Sequence, residues 1–361
     1  MEKRDKIHYT TRRIDGYNLP FNFIISPREA GKSTAVWLDK VYKVFKERGQ
    51  TSLVVRRKVV HITKSYIDDI AKIINKFTDD NISFQYNASS IKDGIVDVYI
   101  NDKLFIRIVA LSIDVTAVKS QVLLNLAFII VDEFICNQRF GEKYIKDECS
   151  KFLEIYNTFQ RESENLKCYF MGNPYSLYNP YFIYFNVPTC KLKKGAIVTD
   201  NKSYVVECYQ LMEELKEYIL NKNPLYQFDN SYTQYAFDGS NVNDQNIIVF
   251  DERPINFSLN IIFKVQNKYI AVWKNNRYYF EDIKYYCDFI SVEKVSKRRD
   301  IFAFELEELV ERVVILSRDE KMKFQKFKDS IRRREVAFNT IECYYMVEEV
   351  YFNLWVYFIY I

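Results

Sequence analysis

The sequence predicts an α/β protein: a mostly parallel sheet covered on both faces, followed by a helical linker and a smaller β-rich α+β region. Three observations carry that expectation. Between residues 21 and 200, short runs rich in β-branched and aromatic residues alternate with amphipathic stretches at helical spacing. Uninterrupted apolar strands separated by helices suit a sheet buried on both sides. The first such strand leads through a polar turn straight into a helical pattern, a strand–turn–helix unit of the α/β class. Finally, Gly and Pro number only 8 and 7 in 361 residues, while 29 Tyr and 28 Phe help bring the mass to 43.3 kDa. That composition excludes collagen-like, linker-like and Pro-rich disordered chains, because so much apolar surface must be buried.

The elements follow in order. FNFII (21–25) reads as a strand and KSTAVWLDKVYKVFKERG (32–49) as a helix stopped at Gly49. TSLVVR (51–56) is the next strand, SYIDDIAKIINKF (65–77) a helix, and residues 97–111 a hairpin. LAFIIVDEF (126–134) and LKCYFMGN (166–173) are buried strands. ECYQLMEELKEYIL reads as a linker helix ending before Pro224, and the polar stretch 228–246 as the linker proper. Beyond it NIIVFDE, FSLNIIFKVQ, KYIAVW and RYYFED suggest an antiparallel meander, and residues 303–360 return to helical spacing. The expected domains are 1–200, a linker at 201–244, and 245–361.

Charge and cysteine usage narrow the chemistry. Lys and Arg number 52 against 48 Asp and Glu, an excess too small to imply a nucleic-acid partner by itself. Seven Cys without a C-x-x-C pair argue against a disulfide framework or zinc ribbon and for a reducing compartment. Two histidines, His8 and His61, leave almost no material for a His-based triad or metal site. The first residues lack the apolar core of a signal peptide, and VYFNLWVYFIYI (350–361) is too short to span a bilayer. No membrane association is expected, and the C-terminal run should form a buried helix or strand.

The turn after the first strand is Ser26-Pro27-Arg28-Glu29-Ala30-Gly31-Lys32-Ser33-Thr34. It matches the phosphate-binding pattern G-x-x-x-x-G-K-[ST] except at Ser26, which lacks only a glycine's ease at positive φ. Backbone N–H groups at a helix start cradle phosphates. Gly31 lets the backbone approach, Lys32 pairs with β/γ oxygens and Ser33 offers a hydroxyl to Mg²⁺. Arg28 lies inside the loop, either near the γ-phosphate or solvated on the surface. About a hundred residues on, a buried strand ends in Asp132-Glu133. Asp132 suits Mg²⁺ and Glu133 suits the polarisation of an attacking water. Two motifs in this order and strand context predict ATP hydrolysis. Asn173, after the third buried strand, is placed to sense the γ-phosphate or simply to shape a G-N-P turn.

SPREAGKS, IIVDEFI and GNPYSLYNPYFIYFNV together resemble the DNA-packaging ATPases of small tailed phages with protein-capped linear genomes. These lie in the terminase-like branch of the additional-strand P-loop ATPases. The resemblance covers roughly residues 10–190. It implies a homo-oligomeric ring, a pentamer, at the portal of an empty capsid in the host cytoplasm, pumping double-stranded DNA inward, with a structural RNA as a further partner. It assigns Arg28 to action in cis, Arg161 to a trans-acting arginine finger, and Lys119 to a neighbour's nucleotide or to plain surface charge. It also implies that 245–361 is a vestigial RNase H-like nuclease; FSLNIIFKVQ and KYIAVW carry Asn260 and Lys264 but no acid. Arg56, Arg57, Lys58 and Lys64 form a basic cluster that either grips DNA phosphates or is a solvated face. The same two readings hold for KMKFQKFKDSIRRR (321–334), a stretch suited to DNA, RNA or the portal. The rivals are another P-loop DNA motor such as a helicase, and a nucleotide-gated binding module without turnover.

Overall fold

β1 (Phe21–Ile25) is buried along its whole length and lies inside an eight-stranded sheet. The computed structural model describes residues 7–119, 123, 125–137, 142–161, 163, 165–177, 179–223, 248–265, 268–277, 283–295, 301–304, 318–333, 335–344 and 346–347. They fall into two units, 1–243 and 244–361.

The first sheet contains β1, β2 (Thr51–Arg56), β3 (Ile95–Ile100), β4 (Lys103–Ala110), β5 (Leu126–Asp132), β6 (Lys167–Gly172), β7 (Ile197–Thr199) and β8 (Tyr204–Cys208). Their spatial order is β3-β4-β2-β5-β6-β1-β8-β7. Every pairing from β4 to β8 is parallel, and only the edge strands β3 and β7 run antiparallel. The β3–β4 hairpin turns at Asn101 and Asp102, both at positive φ, as a two-residue turn that matches strand twist requires.

Alternation along the strands explains why both faces are covered. Phe23 and Ile25, Leu53 and Val55, and Ile129 and Val131 pack in one core with Phe152 and Ile155. The intervening Ile24, Val54 and Ile130 pack in another, with Trp37, Val41, Ile67 and Ile70. The first layer is supplied by α6 (Glu148–Gln160), α7 (Pro180–Tyr184) and α8 (Glu213–Lys222). The second comes from the helical run 32–48 and α4 (Lys64–Phe77), whose N-cap Thr63 accepts from the Tyr66 amide. The run 32–48 is not one α-helix. α2 (Lys32–Ala35) and α3 (Lys43–Arg48) flank a seven-residue π-helical stretch, Val36–Tyr42.

Three expectations need correction. Glu207 and Cys208 belong to β8, beside β1, so the helix begins only at Glu213 and the first sheet continues beyond residue 200. The described part of NIIVFDE, 248–252, contributes a single bridge, Val249 to Phe338, rather than a strand. The tail is not uniformly helical, because β12 (Ile301–Phe304) and β13 (Val336–Phe338) flank the helix Arg318–Arg332. In the first and third places long-range pairing overrides local periodicity.

The second unit holds a five-stranded sheet, β12-β9-β10-β11-β13, in which β9 (Phe257–Val265), β10 (Lys268–Asn275) and β11 (Tyr285–Ile290) form an antiparallel meander; β9 and β10 were expected, and β11 lies beyond the expected RYYFED. β12 joins β9, and β13 joins β11, in parallel. The linker 228–246, residues 278–282 of RYYFED and the C-terminal run 350–361 lie outside the described residues. Among the described residues, no helix is long and apolar enough to cross a membrane.

Candidate active site

The parallel strands β1, β5 and β6 end side by side, and the polar residues that follow them meet there. Ser26 is fully buried, and its amide donates to the Gly172 carbonyl (3.2 Å), tying the start of the loop to the end of β6. Ser26 does not need a glycine's freedom: within 26–34 positive φ occurs at Glu29 (59°) and Gly31 (89°) instead. Gly31 is required here for its backbone conformation. It caps α2 in the left-handed region, so the chain enters the helix with its first N–H groups turned into the loop. The Tyr9 amide donates to the Ala30 carbonyl (2.9 Å) and braces the loop from outside. Pro27 and Ala30 are buried, Arg28 and Glu29 are exposed, and Lys32, Ser33 and Thr34 are partly buried.

Lys32 donates to Asn173 Oδ1 at 2.6 Å. Desolvation is the main cause that lowers its ammonium to about 8, and Arg28 adds to it, while Asp132 and Glu133 pull the other way. All four groups therefore share one electrostatic environment. Asn173 in turn donates from Nδ2 to the Tyr175 hydroxyl (3.3 Å), which also accepts from Arg28 (3.1 Å).

The acidic pair sits opposite. Asp132 is the last residue of β5, and Glu133, at φ 62°, turns the chain sharply away from the sheet. Arg56, the last residue of β2, donates to Asp132 Oδ2 (2.7 Å) and to Glu133 Oε2 (2.8 Å). Tyr66 donates to the same Asp132 oxygen (3.0 Å), and its ring lies 4.5 Å from the guanidinium carbon. Burial pushes the Asp132 carboxyl up, and Arg56 offsets only part of that. For Glu133 desolvation also works against the anion, but Arg56, His61 and Arg57 outweigh it and hold the group below the usual range.

The Arg56 and Arg57 expectation is thereby corrected. Both side chains are buried, at 6% and 4% exposure, and cannot form a strip open to DNA. Arg57 donates to Glu148 at the head of α6 (2.9 Å) and to the carbonyls of Glu133 and Phe134 (2.9 Å each). It is a strut for the acidic turn. Lys58 is partly buried and Lys64 exposed, so only these two of the four remain accessible.

The remaining site residues lie elsewhere. Lys119 ends α5 (Val115–Lys119), and its side chain is outside the described atoms. Arg161 caps the C-terminus of α6, is exposed, and forms no ion pair or side-chain hydrogen bond among the described residues. Two residues on, the Ser163 hydroxyl donates to the carbonyl of Leu126, the first residue of β5. Arg161 is thus near the opposite end of β5 from Asp132, roughly 20 Å away along a seven-residue strand. An arginine side chain cannot span that distance.

The model of the podovirus DNA encapsidation protein (Gp16) family matches residues 1–356. The chain belongs to that family. It is 31% identical over 183 residues to the DNA packaging proteins of Bacillus phages phi29 and PZA, covering 50% of this chain and 51% of each relative. In that alignment the chain spans about half the length of the relatives it matches. With the DNA packaging protein of Bacillus phage B103 it is 26% identical over 308 residues, 84% of this chain and 88% of the relative. Its fold is shared with a chain of the bacteriophage Phi-29 viral genome packaging motor assembly (TM-score 0.60, 17% identity, 96% and 99% coverage). It is likewise shared with a chain of the Phi-28 gp11 DNA packaging motor (TM-score 0.61, 15% identity, 96% and 98%).

In this Gp16-family chain, sequence reasoning missed Arg56, Tyr66 and Tyr175 as members of the site. Arg56 read as one charge in a basic cluster because its partners are 76 and 77 residues away. Tyr175 offered a weak signal, lying two residues after Asn173 in a turn already singled out.

Proposed function

We propose that this chain binds and hydrolyses ATP at the end of β1, β5 and β6, and that hydrolysis drives double-stranded DNA into a preformed capsid. The observation that carries the reading is the convergence of Lys32, Asn173, Asp132 and Glu133 on one loop that presents helix N–H groups. Membership of a DNA encapsidation family supplies the substrate class.

The donor set fits a nucleotide with Mg²⁺. A hard cation of this kind takes one or two carboxylates plus phosphate oxygens. Arg56 and Tyr66 both bond Asp132 Oδ2, so Asp132, through Oδ1, and the Ser33 hydroxyl would be the groups to hold such a cation. When bound, Mg²⁺ neutralises developing charge on the β- and γ-phosphate oxygens. The chain's own residues do the rest. The loop N–H groups and Lys32 hold the phosphates, and Lys32 leaves Asn173 to do so. Glu133 must shed its Arg56 bond before its carboxylate can orient a water. With that bond in place the half-exposed carboxylate is ion-paired to Arg56, so the arrangement seen is a resting one.

Arg161 is out of reach of its own loop, and this supports its assignment to a neighbouring subunit's nucleotide in a ring, a pentamer at the capsid portal. Lys119 keeps the same assignment, and Lys58 and Lys64 are the candidates for DNA contact. The second unit, proposed as 245–361, is a three-stranded meander with a fourth strand parallel to its first and a fifth parallel to its third; the first four strands support an RNase H-like ancestry. β9 carries Asn260 and Lys264 and no carboxylate, so a two-metal cleavage site lacks its early-strand ligand. The helix Arg318–Arg332 keeps Lys323 and Lys326 exposed while Phe324 and Phe327 are buried, a charged face suited to nucleic acid. The setting is the host cytoplasm, at the procapsid portal, with a structural RNA as a further partner.

The test is Glu133→Gln. It should bind ATP with near-wild-type affinity, because Lys32 and the loop are untouched, and lose hydrolysis by about 10²-fold or more. Near-wild-type turnover would remove Glu133 from its role.

A further inference from the structure

We propose that Tyr175 is a positioning residue for hydrolysis: its hydroxyl couples Arg28 in the phosphate loop to Asn173 at the end of β6. The inference rests on the ATPase reading above. The Tyr175 oxygen accepts from Arg28 at 3.1 Å and from Asn173 Nδ2 at 3.3 Å, and the Asn173 carboxamide oxygen accepts from Lys32 at 2.6 Å. The two loop cations are therefore joined through two neutral side chains of the β6 turn. The ring of Tyr175 is 6% exposed and belongs to the core beneath the loop, so the hydroxyl sits at a fixed point rather than on a mobile stalk.

The chemistry gives the arrangement a direction. A carboxamide has one acceptor end and one donor end. With Nδ2 engaged by the Tyr175 oxygen, Oδ1 must face the loop, where it meets Lys32 now and the site of the attacking water once Lys32 has moved to the phosphate. A γ-phosphate also draws the Arg28 guanidinium, because a planar fork matches phosphate oxygens. Both movements exchange bonds at or next to a single oxygen. Arrival of the γ-phosphate at Arg28 is thereby registered at Asn173, and the hydroxyl keeps Asn173 from flipping while Lys32 leaves it. A diphosphate, which lacks the γ group, leaves the Arg28–Tyr175 bond in place.

Tyr175→Phe tests this while keeping the packed ring. The account predicts a KM for ATP within about twofold of wild type and a kcat lowered about tenfold, the size of one hydrogen bond to a charged group. It also predicts that the same substitution in an Arg28→Ala background lowers kcat by a clearly smaller factor, since the Arg28 arm is already lost and only the hold on Asn173 remains. A merely structural tyrosine would lower kcat equally in both backgrounds, and that result overturns the proposal, as does an unchanged kcat in the single variant. Lys32→Ala serves as the reference. If it retains turnover, the ATPase reading itself fails; if it abolishes turnover while Tyr175→Phe is silent, only the Tyr175 proposal fails.

Discussion

Lys32 is the residue at which this site responds to pH. Desolvation lowers its ammonium from the ordinary 10.5 to about 8, so the folded protein holds the proton less tightly than the unfolded chain does. The cost of the buried charge is present in full below pH 8 and is relieved as pH rises from about 8 towards 10.5. Nucleotide phosphates reverse the balance by adding negative charge beside the ammonium. ATP binding at pH 8.5–9 is therefore expected to take up a substantial fraction of one proton, and at pH 6.5 almost none from this group. Calorimetric titration in buffers of different ionisation enthalpy measures it, with Lys32→Met as the control that loses the uptake. Binding heats independent of buffer at pH 9 would contradict the assignment. The same scale shows what a sequence conceals. Lys32, Asp132 and Glu133 were legible because each chemistry has a local signature, a Gly-Lys-Ser turn or an acidic strand end. Arg56 and Arg57 were not, because a charged pair in sequence does not name its partners. Their carboxylates arrive from 76 and 91 residues away, and burial turns an apparent nucleic-acid strip into internal bracing.

Among the elements, the strands of the first sheet up to β6 were readable because they are short runs rich in β-branched and aromatic residues. β8 was not, since Glu207 and Cys208 continue smoothly into a helical pattern and only pairing with β1 marks them as strand. The π-helical stretch Val36–Tyr42 was equally hidden, because a slipped hydrogen-bond register leaves the apolar spacing of an amphipathic helix almost unchanged. The junction of β6 with the acidic turn offers a sharp test at this scale. A Cβ on Gly172 would lie 2.8 Å from Phe134 Cε1 and 3.0 Å from Ile135 Cγ1. Phe134 and Ile135 are themselves 1% exposed and have little room to yield. Gly172→Ala should cost about 1–3 kcal/mol, read as a lowered denaturation midpoint. It should also slow turnover, because the displaced segment begins at Glu133. Wild-type stability and turnover together would show that the junction is looser than the packing indicates.

At the level of the whole molecule, the proposal is that one chain does not complete the site. Asp132, Glu133 and Lys32 gather at one end of the strands, and Arg161 stands near the other, beside the start of β5. The sequence resemblance assigned Arg161 to a neighbour's nucleotide, and its distance from its own loop is compatible with that proposal. The most direct measurement mixes Arg161→Ala with Lys32→Ala across a range of ratios, under ring-forming conditions with DNA, and follows phosphate release. Each protein alone should be nearly inactive, Arg161→Ala by roughly 10³-fold or more if it behaves as arginine fingers do. Mixtures should recover hydrolysis, with a maximum at intermediate ratios, because an intact loop in one subunit then faces an intact Arg161 in the next. Mixed rings that stay inactive at every ratio, or an Arg161→Ala protein that hydrolyses ATP normally, would contradict a site shared between subunits.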